Sequence, residues 1–259
     1  MASRKRAFFT TPWRLIRFFM PVVTLLTAAV YAVTLFRHLY PGTPAFLTAM
    51  AAGLCQQNDL AHPLFSLVLR PIAQLPYATL PVRLNLFCAA CGTLAATLFY
   101  LLTARLIFIW AAENPGGSMA VLPPGADASP EEDGEPDRDP TPFPLPASGT
   151  PLLPASVQAH NWRSARAAAL GGMGAAIVFA FSGPFWIAAT RLYPFAFDLA
   201  LFFLLLNLLI AYDQKAHPFF LFASAFLLAV CCVESPLFLL LLPVGSGFLL
   251  RSLLLNEHA

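Results

Sequence analysis

Charge is what this chain has least of. Only 11% of its 259 residues are Asp, Glu, Lys or Arg, while 58% are hydrophobic, against about a quarter charged in ordinary soluble domains. So few charges cannot coat a core of this size, which excludes a single water-soluble globule. The five cysteines are an odd number and do not describe a disulfide framework. No group of His, Cys and Asp has zinc spacing along the chain, and no glycine-rich phosphate loop is present. Lys and Arg gather at the ends of apolar runs instead of forming a stripe, which excludes nucleic acid as a partner. There is no internal repeat.

Apolar runs fill the chain instead. Six stretches approach or exceed the roughly 18 residues that read as a membrane-spanning helix, the form that satisfies its own backbone across hydrocarbon about 30 Å thick. They are Phe18–Phe36, Leu84–Trp110, Ala167–Ala188, Phe195–Tyr212, Pro218–Val233 and Pro236–Leu255. The last two, joined by Glu234-Ser235 alone, read as a tight helical hairpin. The first has a basic flank but too long an apolar run for a cleaved signal peptide, so it reads as an uncleaved anchor. The expected fold class is all-α: a polytopic membrane protein of about six spans.

A net charge of +2 hides two materials. Residues 113–160 hold eight acidic residues and one basic, with eleven of the 24 prolines, while the rest of the chain has fourteen basic residues and five acidic. A segment of that composition cannot bury enough apolar surface to fold, so it reads as a disordered linker. It divides a membrane module at 1–112 from a four-helix membrane module at 161–259. Basic residues set orientation. Arg4, Lys5, Arg6, Arg14 and Arg17 keep the N-terminus cytoplasmic, and alternation then puts 37–83 outside, the linker inside, Arg191 and Glu234 outside, and the C-terminus inside. Pro63–Leu75 is apolar but too short to cross, reaching some 20 Å, and Arg70-Pro71 interrupts it, so it reads as an interfacial or re-entrant helix.

The long outer loop is the most unusual part. Thr43-Pro44 is a helix start, an N-cap with proline at the first helical position. That helix is expected to run to about Leu54 with Phe46, Leu47, Met50 and Leu54 on one face. A second helix begins at Pro63, and together the two make an amphipathic shelf on the outer membrane face. Asp59 and His62 are the strongly titratable pair on it. They fit a base and its orienter, and equally a helix cap at Asp59 beside an interfacial His62. Charges at membrane depth are functional suspects, which singles out Arg191, Asp198 and Glu234, with Tyr193 beside them. A cavity lined by them would suit an anionic lipid head group, with arginine reading phosphate; alternatively Arg191 pairs with Asp198 or snorkels. Cys88-Ala-Ala-Cys91 and Gly171-Gly172-Met173-Gly174 read as helix-packing faces.

Three runs carry a family likeness. They are Ala61-His62-Pro63-Leu64, then Leu80-Pro81-Val82-Arg83-Leu84-Asn85-Leu86-Phe87, and Phe181-Ser182-Gly183-Pro184-Phe185-Trp186 continuing to Arg191-Leu192-Tyr193. In order and content the chain resembles the bacterial membrane family called domain of unknown function 2723, a branch of the GT-C glycosyltransferases related to protein O-mannosyltransferases. The resemblance covers about Pro41–Leu102 and Gly171–Tyr212. It implies a GT-C-like N-terminal module in the bacterial inner membrane that transfers sugar from a polyprenyl-phosphate donor at the outer face. It also implies substrate contacts by Arg83, Asn85 and Tyr193, and an acidic base in the first outer loop. Where the family has an Asp-x-Gly-Glu-like element, this chain has Gly42-Thr43-Pro44-Ala45. Where the family has Glu-Val-Tyr, it has Arg191-Leu192-Tyr193. Both expected acids are missing, so the resemblance is equally compatible with a catalytically degenerate member. Many members are longer, and against them the chain reads as a truncated or minimal form.

Two function classes follow: a glycosyltransferase-like protein using lipid-linked sugar, and a non-enzymatic membrane component binding lipid or a partner subunit. Neither calls for a metal or a cofactor. A small transporter module is disfavoured, since the midplane charges and broken helices of transporters are mostly absent from the pattern. Topology is tested by reporter fusions at Asn58 and Gly149, which are expected to report opposite sides of the membrane. Signal from the same side at both positions would overturn the six-span arrangement.

Overall fold

The computed structural model describes residues 12–55, 62–113, 155–215, 217–243 and 245–247. All regular structure among them is helical: α1 Pro12–Val33, α2 Thr43–Ala51, α3 Pro63–Ala73, α4 Leu80–Glu113, α5 Ala155–Ala180, α6 Gly183–Thr190, α7 Phe195–Lys215, α8 Pro218–Glu234, and a 3-10 helix at Pro236–Leu241. Asp59 and residues 114–154, most of the expected linker, lie outside the described residues; α5 begins within the linker's expected C-terminal end.

Three helices are long and apolar enough to cross a membrane: Arg14–Val33, Leu80–Ala111 and Phe195–Lys215. The third expected span is not straight. Trp162–Ala180 and Gly183–Thr190 meet at a 69° bend, and they count as a fourth crossing only if the bent pair is one span. The break falls at Phe181-Ser182, just before Gly183-Pro184, where proline can open a helix but cannot continue one. The next helix, α8, has 17 residues and a length of about 25 Å, just short of the hydrocarbon thickness. After Ser235 the sixth expected span begins as a short 3-10 helix and continues helical at 242–243 and 245–247, and its remainder, 248–255, lies outside the described residues.

Helix α4 is the spine. It packs against α1, α5, α6 and α7 along its length, and against α2 and α3 at its start. Small residues make that possible, because apolar helices in lipid gain by close approach. A Cβ added at Gly92 would lie 2.5 Å from the Ala189 Cβ of α6, and one at Gly172 would lie 3.0 Å from the Ala104 Cβ. Cys88 and Cys91 are buried thiols on the same helix, consistent with packing rather than redox use. Several polar groups inside the bundle bond to helix carbonyls. The Tyr31 hydroxyl donates to the Ala180 carbonyl at 2.8 Å, supplying a donor at the end of α5 where the helix has none of its own. The Tyr100 hydroxyl donates to the Ile16 carbonyl at 2.8 Å, and Asn207 Nδ2 donates to the carbonyls of Leu98 and Phe203.

The two shelf helices form, with three corrections. Gly42, not Thr43, precedes the first turn of α2, at φ 88° with no side-chain cap bond. That backbone angle favours glycine, so Thr43 is pushed inside the helix. Helix α2 stops at Ala51, before Leu54, so the expected single apolar face does not form: Leu47 and Met50 are buried while Phe46 and Leu54 are exposed. Helix α3 starts at Pro63 as expected but continues through Arg70-Pro71 to Ala73. Proline is tolerated there because its missing bond falls in the last turn, opposite the exposed Leu67. The buried face of α3 is Phe65, Ser66 and Leu69.

Gly92→Val forces a branched side chain into the Ala189 contact. It is expected to destabilise the bundle by about 1–3 kcal/mol, read as a lower thermal midpoint in detergent. Gly174→Ala, with open space around its Cβ, is expected to leave the midpoint unchanged or raise it.

Candidate functional site

Three polar residues from distant parts of the chain meet at the end of the bundle that carries the shelf. His62 is the residue just before α3, Asp198 lies in the first turn of α7, and Glu234 ends α8. His62 Nδ1 lies 3.4 Å from Asp198 Oδ2 and 3.5 Å from Glu234 Oε1. The side chains of His62 and Asp198 are 21% and 16% exposed, and that of Glu234 is fully buried. The histidine therefore faces the opening and the glutamate forms the floor.

The local reasons for each placement differ. The N-terminus of α3 has backbone N–H groups with no helical partner. Pro63 contributes none. Leu64 N–H donates to Glu234 Oε2 at 2.7 Å, and Phe65 N–H donates to both carboxylate oxygens at 3.2 and 3.3 Å. Ser66 N–H donates to the His62 carbonyl at 3.1 Å. A carboxylate at the C-terminus of its own helix is opposed by the dipole of α8, but this one also sits at the positive N-terminus of α3. Asp198 is favoured where it stands, in the first turn of α7. Its Oδ1 is buried and has no hydrogen-bond partner among the described residues. Beneath the trio, the rings of Phe65, Phe87 and Phe197 lie 5.8–6.1 Å apart and join α3, α4 and α7 into an apolar wall.

The other expected site residues are placed apart from the trio's contacts. Arg191 does not pair with Asp198; its guanidinium lies over the ring of Tyr40 at 4.1 Å and that of Phe36 at 5.4 Å. Stacked cations of this kind gain from the ring quadrupole when partly desolvated. Asn85 is buried and its Nδ2 donates to the Phe36 carbonyl at 2.6 Å, while Arg83 Nη1 donates to the Leu75 carbonyl. Both tie loop backbone to the start of α4. The Tyr193 carbonyl faces the Cys88 thiol at 3.7 Å. A shallow groove between the ends of α2 and α3, lined by Met50, Gly53, Arg70, Gln74 and Leu80, lies away from these groups.

Asp198 and Glu234 stand out in the sequence as outer-face acids, but nothing local links them to His62. The expected pair of Asp59 with His62 rests on a spacing of three residues, and Asp59 lies outside the described residues; among the described residues the acids that meet His62 are Asp198 and Glu234. Arg105 and Asn207 are absent from the sequence candidates. The structure joins them inside the bundle, Arg105 Nη1 donating to the Asn207 carbonyl at 3.1 Å; the signal was an arginine inside an expected span.

Comparison with protein-family models, curated proteins and solved structures finds no match for this chain.

Glu234→Ala removes the acceptor of two N–H groups, each costing roughly 1–3 kcal/mol when left unmet in a buried setting. The Leu64 and Phe65 amides are expected to lose hydrogen-exchange protection, with Glu234→Gln intermediate because one acceptor oxygen remains.

Proposed function

We propose that this chain is a six-span membrane protein, with both termini cytoplasmic, that works on a polyprenyl-phosphate-linked sugar at the outer end of the bundle. The single observation that carries the reading is the convergence of His62, Asp198 and Glu234 beneath the shelf. An acidic base is what sugar transfer to a hydroxyl requires, and the expected loop acids are missing from the sequence. Asp198 supplies the lost carboxylate from another helix. Glu234 is committed to the backbone of α3, whereas Asp198 Oδ1 has no hydrogen-bond partner among the described residues. In the proposed reaction the acceptor oxygen bonds to the anomeric carbon of the sugar, and the carbon–oxygen bond to phosphate breaks. Polyprenyl phosphate leaves with that electron pair, and the acceptor proton passes to Asp198. His62, at the open side, orients the carboxylate. Orientation follows the basic residues: Arg14, Arg17, Arg163, Arg166 and Lys215 lie toward the end opposite the trio.

A second reading is a non-enzymatic lipid or partner binder. It is favoured by the engagement of Arg191 with Tyr40 and Phe36, and of Arg83 and Asn85 with loop carbonyls, which leaves these groups occupied with structure. The two are separated by reconstituting the full chain in nanodiscs with a panel of radiolabelled polyprenyl-phosphate hexoses and outer-membrane-extract acceptors. Transfer by the parent that falls at least a hundredfold in Asp198→Asn, the scale of a lost general base, is the expected result. No transfer by the parent would overturn the enzymatic reading in favour of the binding one.

A further inference from the structure

The trio has a second property that acid–base chemistry does not use. It offers one imidazole nitrogen and two carboxylate oxygens, and these three atoms lie within 4.8 Å of one another. We infer that His62, Asp198 and Glu234 hold a divalent transition-metal cation, with Zn2+ the best fit and Mn2+ next.

Geometry comes first. A tetrahedral ion with bonds of about 2.1 Å places neighbouring ligand atoms about 3.4 Å apart. His62 Nδ1 stands 3.4 Å from Asp198 Oδ2 and 3.5 Å from Glu234 Oε1, so two edges of such a tetrahedron are already set, and only the Asp198–Glu234 edge has to close. Charge points the same way. Two carboxylates against one imidazole sum to −1 even with the ring protonated, in a site whose floor is fully buried. A divalent cation with neutral imidazole brings the sum over these three side chains to zero, which favours the cation in a buried setting.

Ligand type then selects the ion. Imidazole with carboxylates suits zinc and manganese, whereas calcium and magnesium prefer oxygen-only cages. The supporting contacts are those a metal site uses to aim its ligands: Glu234 is held by the N–H groups of Leu64 and Phe65, and His62 by its place before α3. Three protein ligands leave a fourth position on the side where His62 is exposed. That is the arrangement of a site that admits a water or an outside oxygen, as opposed to a closed structural one. Phosphate oxygen is the ligand chemistry that position would take, with Asp198 Oδ1 remaining beside it.

The inference rests on the outer-face site proposed above, but its test needs no sugar. Tag-free full-length protein in detergent is stripped with chelator and titrated with Zn2+ alone by calorimetry. In parallel Co2+ is added and the visible absorption of a tetrahedral cobalt centre is followed. One equivalent per chain is expected, with a thermal midpoint that rises on loading. His62→Gln and Asp198→Asn are each expected to weaken binding at least tenfold and to abolish the cobalt band while keeping the unloaded midpoint of the parent. Stoichiometry well below one, or binding that both variants leave unchanged, would overturn the site and leave the trio an ordinary ion pair. Zinc binding without sugar transfer would keep the cation site and remove the glycosyltransferase reading; transfer that persists under chelator, with no zinc uptake, would do the reverse.

Discussion

A carboxylate with no exposure to solvent has to be met by hydrogen bonds, and Glu234 is met by the opening turn of α3. Much of the shelf end of this molecule depends on that contact. It joins residues 170 positions apart, ties α3 to the end of α8, and sets His62 beside Asp198 and Glu234. In a chain with 11% charged residues, such an anchor is conspicuous. The usual apolar contacts can be exchanged for one another, but a buried carboxylate accepts only a partner of matching charge or hydrogen-bond polarity.

Packing around α4 provides the frame that brings these ends together. Lipid tails are as apolar as leucine, so helices associate by fit and by internal hydrogen bonds instead of by exclusion from water. Gly92 against Ala189 and Gly172 against Ala104 bring backbones close, and Tyr31, Tyr100 and Asn207 fasten neighbouring helices through carbonyl acceptors. The bend after Ala180 belongs to the same design. It turns the chain so that α6 lies against Gly92 while Arg191 reaches the rings of Phe36 and Tyr40. The start of α7 follows directly, carrying Asp198 to His62.

Several elements are legible from local pattern alone. The long apolar runs predict α4 and α7 to within four residues at each end and α1 less closely, since it begins at Pro12 and not Phe18, and proline marks the starts of α3 and α8. Local rules fail where two of them compete. Thr43 is a good cap by type, yet Gly42 takes the position because the chain turns there through a positive φ. Pro71 is a helix breaker by rule, yet α3 passes through it because the lost bond falls in the final turn. The third span is long enough in sequence, but the Ser182-Gly183-Pro184 element restarts the helix at 69° to the first part.

What the sequence by itself determined is the material: an all-helical chain with several apolar helices, two short helices between the first two long ones, and a handful of acids outside the proline-rich segment. Hydrophobicity and turn chemistry act over a few residues, so they can be read from a few residues. Only the tertiary structure decided which acids meet His62. Asp198 and Glu234 lie far from it in sequence and near it in space, because two helix ends and one cap converge on the same point. No spacing rule along the chain encodes that meeting, and the polar chemistry of the protein resides in it.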